Sequence, residues 1–174
     1  GQGGGGVLHP PDAGIKAVSY GNVNVGKTEQ EARKVFAFAK AMGIENIVCE
    51  PKPEMVPILD KLTEEYGVNL AMHNHPKPTS TYWAPDILLK AIEGCGKRVG
   101  ACADTGHWNR SDLNPVECLK KLRGCLISLH FKDVVPATKG WTDVPWGTGK
   151  SDVKAMLAEL KAQGFKGVFS IEYE

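Results

Sequence analysis

Five short apolar runs in this 174-residue chain end on an acid or an imidazole. Gly100-Ala101-Cys102-Ala103 leads into Asp104, and Thr105-Gly106 forms a turn that presents His107 three positions on. Ile47-Val48-Cys49 leads into Glu50, Leu70-Ala71-Met72 into His73-Asn74-His75, Ile127-Ser128-Leu129 into His130, and Val168-Phe169-Ser170-Ile171 into Glu172. These are the residue types that bind divalent cations and move protons at neutral pH. In a sheltered pocket, two carboxylates about 4 Å apart repel by roughly 4 kcal/mol at an effective dielectric near 20. Glu50, Asp104 and Glu172 brought together would therefore need a cation or shared protons. With His73 and His130 they make a mixed oxygen and imidazole set suited to manganese, cobalt, zinc or magnesium. Such an ion would polarise a carbonyl or hydroxyl oxygen while a spare carboxylate or imidazole took the adjacent C–H proton.

Further groups belong to the same expectation. Lys132 stands two residues past His130, on the same strand face, where it could neutralise an enolate oxygen or form a rim salt bridge with Asp133. His107 is expected to meet substrate hydroxyls or to orient a metal-bound water. Trp108, Trp141 and Trp146 lie in segments where indole faces could stack on a sugar. Glu174, two past Glu172, is a candidate base or supporting residue.

These groups require strands and helices that deliver them to one edge. The apolar pattern predicts strands over residues 15–20, 44–50, 68–73, 99–104, 126–131 and 168–173. Helices are predicted over residues 29–42, 54–66 and 85–92, from Asn114 toward Gly124, and from Ser151 or Asp152 to Gly164. A long loop, residues 134–150, precedes the last helix. Strict alternation of strand and helix argues a parallel sheet with its polar strand ends at the carboxyl edge. Six βα units fall short of the eight of a closed barrel, which typically takes about 250 residues. The expected fold is a partial (β/α) TIM-type barrel over residues 14–174, the first two units and the last helix being absent, with a smaller doubly wound sheet as the alternative. Residues 1–13 read as a flexible glycine-rich leader. Open sheet edges make a homo-oligomer possible.

Composition narrows the function classes. A net charge of +1 from 21 basic and 20 acidic residues offers no field for nucleic acid or anionic membrane. No run approaches the roughly 18 apolar residues of a membrane span. Five cysteines without C-x-x-C spacing read as reduced, packed thiols and favour the cytoplasm. One motif competes: Gly21, Gly26, Lys27 and Thr28 fit the phosphate-binding G-x-x-x-x-G-K-[ST] pattern after a strand and before a helix. The stiff side chains of Val23 and Val25 fit poorly in a phosphate nest, and a P-loop NTPase would leave the histidines and Glu172 without a role.

The strings VCEP, AMHNHP, ADTGHW, LHFKD, VPWGTG and SIEYE, in this order, resemble the xylose-isomerase-like TIM-barrel superfamily of sugar isomerases and epimerases. The resemblance implies a divalent metal at the carboxyl end of the barrel and a small-molecule sugar, keto-sugar or cyclitol substrate. By motif it implies Asp104, His130 and Glu172 as metal ligands, with Glu50 or His73 completing the set. It further implies catalytic roles among Glu172, His73, Glu50 and Lys132, and substrate contacts from His75, His107, Trp108, Tyr20 and Trp146. Where the epimerases usually carry a glutamate before their Asn-His pair, this chain has His73, a departure shared with a branch resembling inosose dehydratases and 3-keto-glycoside lyases. The expected activity is isomerisation or epimerisation by proton abstraction next to a carbonyl through a metal-stabilised enolate. Dehydration or lyase chemistry on inososes or 3-keto-glycosides is the alternative, and a non-catalytic metal- or sugar-binding fragment is a third. An endonuclease with a three-metal site would want more histidines than the five present and a basic face.

Overall fold

In the computed structural model, which describes residues 14–172, six parallel strands form one curled half-barrel sheet. The glycine-rich leader and Glu174 lie outside the described residues. The strands are β1 (Ser19–Tyr20), β2 (Asn46–Cys49), β3 (Asn69–His73), β4 (Val99–Asp104), β5 (Leu126–His130) and, after a small hairpin, β8 (Val168–Ser170). They pair in chain order, β1-β2-β3-β4-β5-β8. A doubly wound sheet reverses its strand order partway, so this sequential order is that of a TIM-type barrel and excludes the alternative.

Helices α1 (Glu29–Ala41), α2 (Val56–Tyr66), α3 (Pro85–Ala91), α4 (Thr105–Asn109), α5 (Pro115–Lys121) and α6 (Val153–Ala162) join the strands. Their starts follow local chemistry. Thr28 and Glu31 form a reciprocal capping box on α1, Asn114 accepts from the amides of Val116 and Glu117 at the start of α5, and Asp152 caps α6. A 3-10 turn, Pro53–Met55, precedes α2, and Gly67 ends that helix in the left-handed region at φ 69°.

Alternation along the strands separates two layers. Ile47, Cys49, Leu70, Met72, Ala101 and Leu129 face outward into the main core with Phe36, Leu59, Leu62, Leu119 and Leu160 of the helices. Val48, Ala71 and Cys102 face the concave side, where Ile127 packs on them. Two residues further along these same strand faces stand Glu50, His73 and Asp104. The sheet thus delivers its polar ends to one concave mouth.

Two expectations need correction. The segment after Asp104 is a helical turn, α4, for which Asp104 itself is the N-cap. The long loop contains an antiparallel hairpin, β6 (Asp133–Pro136) with β7 (Trp141–Val144). Among the described residues no helix is long and apolar enough to cross a membrane.

Candidate metal centre

His73 ends β3, Asp104 ends β4, His130 ends β5 and Glu172 stands two residues beyond β8. Each of the four offers a ligand atom, and these atoms all lie within 4.8 Å of one another. His73 Nε2 is 3.1 Å from His130 Nδ1 and 3.6 Å from Asp104 Oδ2. His130 Nδ1 is 3.8 Å from Asp104 Oδ2 and 3.0 Å from Glu172 Oε2. The first three residues are buried, and Asp104 Oδ2 and Glu172 Oε2 make no well-aligned hydrogen bond. Two inward imidazole nitrogens and two under-satisfied carboxylate oxygens are a donor set that a divalent ion would complete.

The electrostatics of the cluster follow from burial and from its neighbours. Burial by itself would raise the Asp104 carboxyl, but the neighbouring His73, His107 and Lys132 hold it far below the ordinary carboxylate range. Glu172 is likewise held low, its burial outweighed by Lys132 and His130. Burial, aided by neighbouring His73, lowers the His130 imidazole and leaves it neutral and able to ligate at pH 7.

The surrounding residues lock these ends in place. The Asn74 amide grips the Asp104 backbone twice, Nδ2 donating to its carbonyl at 3.0 Å and Oδ1 accepting from its amide at 2.8 Å. Asp104 Oδ1 accepts the His107 amide at 2.9 Å, so one carboxylate oxygen holds the helical turn while the other faces the cluster. Asp133 is not a rim partner of Lys132. Its two oxygens accept four backbone amides, of Val134, Ser151, Gly147 and Gly149, at 2.8–3.0 Å, and they clamp the loop that carries Trp146. A Cβ on Gly149 would lie 2.3 Å from Asp133 Oδ1, so only glycine lets the loop approach this closely.

Lys132, 1% exposed, reaches into the centre, where Nζ lies 3.0 Å from both Asp104 Oδ2 and Glu172 Oε2. Glu50 is not among the four clustered residues. Its carboxylate takes the His75 Nδ1 at 2.8 Å and the Ser80 hydroxyl. The His75 ring lies against His73, with centroids 4.5 Å apart, and against His107 at 5.1 Å. His107 Nε2 stands 3.6 Å from Asp104 Oδ2 while Nδ1 meets Arg110 at 3.0 Å, and burial pushes its pKa down to about 3. Arg110 in turn pairs with Asp143 at 2.9 Å.

Three aromatic expectations separate. Trp146 is 39% exposed, donates Nε1–H to the carbonyl of Phe131 at 2.8 Å and packs edge-on to that ring. Trp108 is 1% exposed inside the apolar core and offers no face to a ligand. Tyr20 turns its ring to Phe38 of α1, centroids 5.2 Å apart, on the helix side of the sheet. The nucleotide-binding reading fails for a local reason. The amides of Lys27 and Thr28 and the Thr28 hydroxyl are taken by the Glu31 carboxylate at 2.8–3.0 Å, so an internal anion occupies the groups a phosphate would need.

Nothing in the sequence pattern points to Ser80, Arg110 or Asp143; Asn74 alone of these neighbours carries a signal, its position between His73 and His75.

The half-barrel and its mouth define a class, and sequence similarity gives it a family. Residues 26–174 match the xylose isomerase-like TIM barrel family, and the chain belongs to it. An inosose isomerase of Bacillus velezensis is 30% identical over 125 residues, which are 68% of this chain and 44% of that protein. A crystal structure of a Parabacteroides distasonis protein is 37% identical with a TM-score of 0.68, over 92% of this chain and 62% of that one. A crystal structure of IolI protein with a bound zinc atom is similar in fold, at 24% identity and a TM-score of 0.68, over 91% and 66%. The chain spans about half the length of the curated relatives it matches.

Proposed function

We propose that this chain carries the metal site of a divalent-metal-dependent sugar or keto-sugar isomerase or epimerase. The observation that carries the reading is the convergence of His73, Asp104, His130 and Glu172 within 4.8 Å. These four would hold the ion, and the zinc atom in the IolI structure, which shares this fold, supports a metal-binding reading. When bound, the ion would supply polarisation of a carbonyl oxygen, which acidifies the neighbouring C–H. The chain's own groups do the rest. Glu172, half-exposed at the mouth and ionised, takes the carbon-bound proton. The ammonium of Lys132 faces the negative charge that then develops on oxygen. Glu50 orients His75 through Nδ1, which leaves Nε2 to exchange a proton with substrate. Trp146 forms an apolar wall for C–H faces of a sugar ring. A positioned base contributes about 100- to 10,000-fold.

Dehydratase or lyase chemistry on inososes or 3-keto-glycosides is the second reading. It is favoured by His73 standing where a second glutamate base would make a symmetric epimerase pair. Loss of a neighbouring oxygen substituent then needs an acid, for which His75 and His107 are the candidates. Both readings share the abstraction step. Metal-loaded protein incubated with ketoses, inososes and 3-keto-glucosides in D₂O should introduce deuterium next to the carbonyl. The absence of exchange, isomerisation and elimination across that panel, from the full-length protein, overturns both.

A further inference from the structure

We infer that Lys132 is a built-in competitor of the metal: its ammonium offsets one of the two ligand carboxylate charges before the ion arrives, and its charge sets how tightly the ion is held. The inference rests on the metal reading above. The two oxygens 3.0 Å from Nζ, Asp104 Oδ2 and Glu172 Oε2, are the oxygens turned toward the histidine nitrogens. A divalent ion and the ammonium therefore contend for the same acceptors.

The position of Lys132 is built, not incidental. Thr105 Oγ1 accepts the Lys132 amide at 2.8 Å and donates to its carbonyl at 2.9 Å, which fixes the backbone against α4. Gly106 provides room for the stem, since a Cβ there would meet Lys132 Cβ and Cδ at 3.0 Å. The side chain is wholly buried, so its charge is not screened by water as a surface lysine's would be. Counting the described cluster alone, two carboxylates and Lys132 leave the metal-free site with one net negative charge, and a divalent ion turns it to one net positive. Without Lys132 the same ion would neutralise the site. The lysine thus keeps the empty centre assembled and weakens the metal's hold.

Calorimetric titration of Mn²⁺ and Zn²⁺ into the chelator-treated chain tests this, comparing the wild type with Lys132→Gln and Lys132→Met. Both variants should bind at least about tenfold tighter, because a buried like charge is removed from beside the ion. Their metal-free melting temperature should fall and their metal-induced rise in melting temperature should grow. Equal or weaker binding by variants that retain the native circular dichroism overturns the inference while leaving the metal reading standing. No binding by any of the three proteins overturns both. On the unmodified chain, saturating Zn²⁺ should shift the ¹³Cε signal of the buried lysine, and an unmoved signal overturns the inference without any variant.

Discussion

Asp104 and His130 are register partners across β4 and β5, and that pairing leaves Asp104 Oδ2 3.8 Å from His130 Nδ1. Side chains of directly paired residues share a face, so the geometry of these two candidate ligands follows from strand registration. A substitution that preserves the pair's shape but removes the charge should separate fold from metal binding. Asp104→Asn keeps an acceptor for the His107 amide and should retain native circular dichroism. Metal affinity should fall by about 100-fold or more, since even residues supporting ligands cost 10- to 100-fold. The metal-free protein should lose about 3 kcal/mol in denaturant unfolding, because buried Lys132 loses a counter-charge.

Acid should unfold the protein partly through Asp133. Burial would raise its carboxyl, but the amides of Ser151, Gly149 and Gly147 outweigh that and lower it. A depressed folded pKa means stability that is fully present above the unfolded value of about 3.9 and lost as pH falls through the folded value. Denaturant titrations at pH 7 and pH 3 should show this loss, and Asp133→Asn should reduce it while costing about 1–3 kcal/mol at pH 7. His107 adds to the acid sensitivity from a higher pH. Its ring protonates in the unfolded chain near 6.5 and in the fold only at about 3, so the fold loses stability throughout that window.

Nucleotides should not stabilise this protein. Glu31 already holds the amides of Lys27 and Thr28, and Mg²⁺ with ATP or GTP should leave the melting temperature unchanged. Lys27→Ala should be within about 0.5 kcal/mol of the wild type, as expected for an exposed surface change. Glu31→Ala should cost about 1 kcal/mol through loss of the capping box.

The strand order and the mouth were legible because both rest on short-range rules. Apolar β-branched runs such as Ile47-Val48 and the alternation that follows from them place Glu50, His73 and Asp104 on one face without any knowledge of tertiary contacts. What was not legible depends on distance. Asp133 beside Lys132 reads as an ion pair in one dimension, yet its backbone turns the two side chains apart, one to the loop amides and one to the centre. Trp108 looks like a loop residue until α4 forms and buries it. The phosphate-loop pattern contains its own refutation in Glu31, but only the helical geometry of α1 brings that carboxylate back onto the amides. The β6–β7 hairpin is set by register across four pairs, with no two-residue turn signature to announce it.

The sharpest division is between His73 and Glu50, which sequence spacing could not rank as ligands. Glu50 has both oxygens engaged, one by His75 and one by Ser80, and both contacts help hold its carboxyl below its ordinary value despite burial. His73 presents Nε2 to His130 and Asp104 inside the cluster. His73→Gln should therefore weaken Mn²⁺ or Zn²⁺ binding by about 100-fold or more, since residues that only support ligands already cost 10- to 100-fold, while Glu50→Gln should leave it within about threefold. Glu50→Gln should act on turnover instead, because an amide no longer stabilises the charged form of His75 and no longer fixes its tautomer. Calorimetry and the D₂O exchange rate, measured on the same two variants, give the comparison. Tight metal binding by His73→Gln together with loss of binding by Glu50→Gln would reverse the assignment and make Glu50 the fourth ligand.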